Sequence, residues 1–139
     1  VTEQLVMLPN VEALVSAFLR DQAEVTALVD DRVYTALPKG VEFPAVRVVQ
    51  YDDVKHTRRP LWVVHALLQI DCWGGSKHDA WQTAATVQGV LAARLAGVHD
   101  LGVVTGVDVG GLADTPDQDF EPAKPRWTFT ATVFAHPNP

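Results

Sequence analysis

The sequence predicts an α+β fold, an antiparallel β-sheet with two main helices packed on one face, and three stretches carry that prediction. Residues 61–73 form an unbroken run rich in β-branched and aromatic residues with no proline, which suits a well-buried strand. Residues 76–95 follow a Gly74-Gly75 break and repeat apolar residues at helical spacing. Residues 127–136 alternate strictly, with Trp127, Phe129, Ala131, Val133 and Ala135 against Thr128, Thr130, Thr132, Phe134 and His136. At 139 residues the chain reads as a single domain spanning 1–139.

Taken in order, Asn10 is a good helix N-cap, and Val11, Leu14, Val15 and Phe18 make one apolar stripe of a helix that fades near Arg20-Asp21. Residues 23–29 suit another short helical turn before the turn-forming Asp30-Asp31. Residues 32–36 read as a short strand ended by the Leu37-Pro38-Lys39-Gly40 loop, and residues 45–52 as a second strand. A charged connection containing Lys55, His56, Arg58 and Arg59 then makes the tip of a long hairpin.

The strand beyond that tip has a wholly apolar row, Trp62, Val64, Ala66, Leu68, Ile70 and Cys72, expected to face the core. The opposite row is mixed. Ser76 caps the long helix, whose stripe is Ala80, Ala84, Val87, Leu91 and Leu95, and Gly97 is the expected C-terminal cap. Residues 101–109 read as a weak, bulged or edge-like strand because Gly102 and Gly106 interrupt it. Residues 114–125, with three prolines and several acids, should be an exposed loop.

Composition narrows the function classes. With 47% hydrophobic and 20% charged residues, the chain is globular and not disordered. A formal charge of −6 argues against a general binder of nucleic acid or anionic membrane, both of which need a basic surface. The single cysteine, Cys72, excludes an internal disulfide, sits in the apolar row as a structural thiol, and makes assembly in a reducing cytoplasm the expectation. The first eight residues do not read as a signal peptide, and no apolar run reaches the roughly 20 residues of a membrane span.

No catalytic or cofactor signature emerges. The five histidines have no metal-ligand spacing, there are no paired cysteines, and Gly102 and Gly106 open no helix and so make no phosphate loop. Ser76 lacks the glycine framing of a nucleophile elbow. His65 and Asp71, on the mixed row of the central strand, are the nearest approach to a catalytic or ligand-binding pair; a polar face that is hydrated or meets another subunit explains them better. The chain is therefore read as a non-enzyme without metal or cofactor. Its basic cluster Lys55, His56, Arg58 and Arg59 is expected to contact a neighbouring subunit or partner protein. The carboxylates that answer it are Asp108, Asp114, Asp117, Asp119 and Glu121. Exposed β-branched rows and the tryptophans Trp73 and Trp81 suggest surface left for another chain to cover.

The arrangement also resembles a known family. The N-terminal helix, the Asp31-Arg32-Val33-Tyr34 segment leading to Leu37-Pro38 and Pro44-Ala45-Val46, and Leu68-Gln69-Ile70-Asp71-Cys72-Trp73 before an alanine-rich helix ending Leu91-Ala92-Ala93-Arg94-Leu95 are similar to the tail terminator, or tail-completion, proteins of long-tailed bacteriophages. The final strand, 127–136, completes that layout. The resemblance spans about residues 8–136; the glycine-rich 101–111 segment and the acidic loop after it depart from it.

The resemblance implies a structural protein of the virion tail and neck, assembled in the host cytoplasm. It implies a homo-oligomeric ring, commonly a hexamer, on the head-proximal end of the tail tube, contacting the tail tube protein and the head–tail connector protein. Genomic DNA would pass through the ring without sequence-specific binding, and no membrane is involved. The alternatives are another neck or head-completion protein and, from a different class, a small α+β hydrolase or ligand-binding domain using His65 and Asp71.

Overall fold

A computed structural model of the chain describes residue 5 and residues 7–54 and 63–139. Helix α1 (Val11–Arg20) starts where Asn10 Oδ1 accepts the Ala13 N–H at 3.1 Å, and it buries Val11, Leu14, Val15, Phe18 and Leu19. The 23–29 segment is a full helix, α2 (Ala23–Val29). Two strands follow, β1 (Val33–Tyr34) and β2 (Ala45–Asp53), then the central strand β3 (Val64–Trp73).

The strand-to-helix turn after β3 requires glycine at position 74. A Cβ there would fall onto the backbone nitrogen of Ala80, inside the first turn of the next helix. That helix, α3 (Lys77–Arg94), is capped by Ser76 Oγ, which accepts the Asp79 N–H at 3.1 Å. It ends through Leu95 in a right-handed conformation and not through a glycine cap. Gly97, at φ +142°, instead opens a short strand, β4 (Gly97–His99). Strands β5 (Gly102–Val109), β6 (Ala113–Asp114) and β7 (Arg126–His136) complete the chain.

The fold is α+β. The strands order as β1-β2-β3-β7-β5-β4, with β6 pairing alongside β7. All pairs are antiparallel except β1–β2, so the expected antiparallel sheet is a mixed one. The parallel pair arises because the 37–44 loop carries the chain back before β2 begins, and a tight hairpin does not form. Register shifts at Gln50/Asp52 in β2 and Val104/Gly106 in β5 bend the sheet. Across this bent sheet the helices do not stack as one flat pair. Helix α1 lies against β1 and β2, α3 against β3, β5 and β7, and α2 packs on α1 and α3.

The apolar row of β3 behaves as the alternation demands. Val64, Ala66, Leu68, Ile70 and Cys72 are buried, as are the helix residues Leu14, Val87, Leu91 and Leu95. They share one cluster with Phe129, Ala131, Val133 and Ala135 of β7. Burial pushes the Cys72 thiol far above its usual range, with a smaller contribution from the neighbouring Asp71 charge, so this sulfur is structural. Trp62, placed in the same row by the sequence, lies outside the described residues.

Candidate functional site

The outer face of the sheet is where the mixed rows meet. Cross-strand register sets Asp71 of β3 between Arg47 of β2 and Thr128 of β7. Asp71 is fully buried. Its Oδ2 accepts from Arg47 Nη2 at 2.7 Å and Nε at 3.2 Å; its Oδ1 accepts from Thr128 Oγ1 at 2.8 Å and Gln69 Nε2 at 3.0 Å. A carboxylate with both oxygens so engaged is a structural anion, because a buried charge is tolerated only when paired and hydrogen-bonded.

One step along β3, Trp73 is also fully buried on this outer face, and the loop read from sequence as exposed folds over it. Its indole Nε1 donates to Asp117 Oδ2 at 2.9 Å, and the guanidinium groups of Arg47 and Arg126 stand 5.1 and 5.8 Å from its ring centre. Asp117 Oδ1 accepts the Asp119 N–H at 3.0 Å, and Arg126 Nη1 lies 3.7 Å from Asp117 Oδ2. Phe43 and Phe120 pack edge to face at 5.6 Å with Lys124 above Phe43 at 4.7 Å. The buried Asp117 carboxylate on Trp73, with Arg126 beside it and Arg126 Nε donating to the Thr115 carbonyl at 2.7 Å, thus pins the 115–126 loop to the sheet.

The residues expected to meet partners therefore fall into different settings. Asp117 is only 6% exposed and bonded within its own chain, so it is not a rim carboxylate. Asp114 is exposed and pairs with Lys77 at 3.0 Å, and Asp108, Asp119 and Glu121 are exposed as well. Lys55, His56, Arg58 and Arg59 lie outside the described residues. His65 and Asp71 sit six residues apart on one strand, roughly 20 Å at strand rise, so they do not converge on one site. His65 instead packs edge to face on Phe134 at 4.7 Å, and its N–H donates to Asp53 Oδ1 at 3.1 Å. Among the described residues no group of three or more His, Cys, Asp or Glu side chains could hold a metal ion, and no helix is long and apolar enough to cross a membrane.

One feature escaped the sequence reading. Between the C-terminal half of α1 and the β4–β5 turn lies a cleft of about 260 Å³, with Leu14, Phe18 and Leu101 as its apolar lining and Asp21, His99 and Asp100 beside them. His99 is held edge to face against Phe18 at 5.6 Å, and its Nε2 lies 2.6 Å from the Leu95 carbonyl oxygen. No ion pair engages the Asp21 or Asp100 carboxylate among the described residues. Only the three-dimensional approach of α1 to a turn some 80 residues later creates this site, so no local motif announces it.

The chain contains a scaffold of bonded charges and an open acidic cleft, and neither is a catalytic constellation. Comparison with curated proteins gives no match. Among solved structures, the fold is similar to that of a chain in a structure described as "Virion of native gene transfer agent (GTA) particle". The TM-score is 0.56 at 20% identity, covering 90% of this chain and 92% of that one. The family described as Tail completion protein gp17 matches residues 12–133, from the first turn of α1 to the last third of β7. With nearly the whole sheet and all three helices inside that match, the chain belongs to the tail completion protein gp17 family, structural proteins of the phage tail.

Proposed function

We propose that this protein forms a homo-oligomeric ring, a hexamer, on the head-proximal end of the tail tube, where it ends tube polymerisation and joins the tail to the head–tail connector. The family match over residues 12–133 carries this reading. The likeness of the fold to a chain of a gene transfer agent virion supports a place in a virion particle. The formal charge of −6 fits a channel through which DNA slides without sticking, since like charges repel.

The contact surfaces follow from charge and placement. The basic segment containing Lys55, His56, Arg58 and Arg59 joins β2 to β3 at one end of the sheet. Asp114, which ends β6, and Asp119 and Glu121 of the loop that joins β6 to β7 lie at the other. The basic segment serves the subunit contact, and the exposed acids of the loop serve the tube or connector protein.

Electron microscopy of particles assembled without this protein tests the reading. Tails of uncontrolled length that fail to join heads are expected, and an added supply of the protein should restore both. Tails of normal length joined to filled heads in its absence would overturn the proposal.

A further inference from the structure

The two sides of the sheet treat their outer backbone differently. Beyond its pairing with β1, the edge of β2 is guarded. Glu12 Oε2 accepts the Gln50 N–H at 2.7 Å, the register shifts at Gln50/Asp52, and Asp52 and Asp53 add carboxylates. Charges and bulges of this kind keep an edge from pairing with a stray strand. On the other side, β4 pairs β5 only at Gly102, Val103 and Val104, and among the described residues no strand lies outside 105–109. The Gly110 N–H donates to the Thr130 carbonyl at 2.7 Å, so alternation turns the N–H and C=O of Val107 and Val109 away from β7. Among the described residues, no hydrogen bond outside the sheet ladders reaches these four groups.

The side chains around this bare edge differ between its two faces. Val107 and Val109 stand opposite Val133 and Ala131, so they share the helix side and pack, half-buried, on the core. Helix α3 adjoins them there, where Gln88 Nε2 donates to the Gly110 carbonyl at 2.7 Å. Ala85 and Ala92, a turn before and a turn after, fall within about 60° of Gln88, on the side away from the buried Ala84 and Leu91. The helix wall beside the edge is therefore lined with small residues. On the opposite face Asp108 is exposed, and no ion pair engages its carboxylate among the described residues.

We propose that the 105–109 edge of β5 is a strand-addition site for an extended segment of another virion protein, one that alternates apolar residues with lysine or arginine. An added strand takes its bonds from Val107 and Val109, and its residues opposite them lie on the helix side, between those valines and the α3 alanines. These must be apolar. The residue between them emerges on the outer face beside Asp108, where a cation answers the carboxylate. A second copy of this chain fits worse. Its β2 edge would bring Asp52 and Asp53 towards Asp108, and its β5 edge would set Asp108 near its own twin across a two-fold axis, which closes a dimer and not a ring. The inference rests on the proposed tail role for the kind of partner, and adds the surface that holds it.

The test compares two full-length variants during tail assembly. Val109→Pro removes one outward N–H and spares the bonds to β7, because an edge N–H is where a strand tolerates proline. Val109→Ala also loses the valine side chain but keeps the donor. With circular-dichroism spectra unchanged, incorporation into tails should fall about tenfold for the proline variant and stay within about twofold for the alanine variant. Equal incorporation of the two would overturn the proposal. Asp108→Lys should also lower incorporation about tenfold, and an unchanged level would overturn the cationic partner. Hydrogen exchange on the original chain needs no variant to fold. The Val107 and Val109 amides should exchange at least about tenfold more slowly in intact tails than in the free chain. Unchanged exchange in tails would overturn the edge site and leave the ring reading standing. Protection arising in the purified chain alone would assign the edge to a second copy and overturn the proposed partner. Finished tails that lack this protein altogether would defeat both readings.

Discussion

The two faces of β3 are buried by opposite means. On the helix side, Val64, Ala66, Leu68, Ile70 and Cys72 belong to one apolar cluster. On the outer side, burial is confined to Asp71 and Trp73, enclosed by guanidinium, carboxylate and hydroxyl groups. An apolar core is non-directional and tolerates swaps that conserve volume. A hydrogen-bonded ionic cluster has one working geometry, because each partner left unpaired incurs its full desolvation penalty. The helix side therefore supplies most of the stability, while the outer side fixes where the 115–126 loop sits.

Three substitutions sharpen this contrast, each read by urea denaturation. Leu91→Ala, on the helix side, should lose about 2–5 kcal/mol, since Leu91 is fully buried and its removal leaves a cavity. A loss below ~1 kcal/mol would mean that the core is not organised around α3. Trp73→Phe, on the outer side, keeps the aromatic bulk but removes the donor to Asp117; a loss of about 1–3 kcal/mol is expected, accompanied by faster proteolytic cleavage within residues 115–126. Unchanged cleavage in this variant would show that the indole bond does not hold the loop. Lys77→Ala, at the rim, breaks the Asp114 ion pair and should change stability by ~0–1 kcal/mol, with the difference shrinking as salt is raised. A larger, salt-independent loss would place the rim with the buried cluster.

The elements whose periodicity runs over many residues were legible in the sequence. The stripes of α1 and α3, the even row of β3 and the alternation of β7 all bury the residues their spacing selects, because a long amphipathic pattern has only one face to hide. Asn10 and Ser76 cap as their chemistry predicts. Two of the short strands were not legible, whereas the short α2 and β1 were. Strands β4 and β6, three and two residues long, carry no period, and Gly97 sits in β4 although its position after a helix suggests a cap.

At the site the miss has a physical cause. Asp117 lies among prolines and acids, where sequence reasoning expects solvent. It is buried because Trp73, 44 residues earlier, presents an indole N–H that needs an acceptor, and only tertiary structure brings the two together. The Asp71 network was similarly hidden, since its arginine and threonine partners come from the two flanking strands.

The ends of the strand order have a consequence for life before assembly. The outermost strands, β1 and β4, are two and three residues long. An edge strand exposes unpaired N–H and C=O groups on which a stray strand can nucleate, and the hazard grows with the length of the edge. The two end strands cover only part of the strands inside them: β1 pairs Val46 and Arg47 of β2, and β4 pairs Gly102, Val103 and Val104 of β5. Among the described residues no strand lies on the outer side of 48–53 or of 105–109. These stretches, and not the two short end strands, are where another chain's backbone finds open N–H and C=O groups.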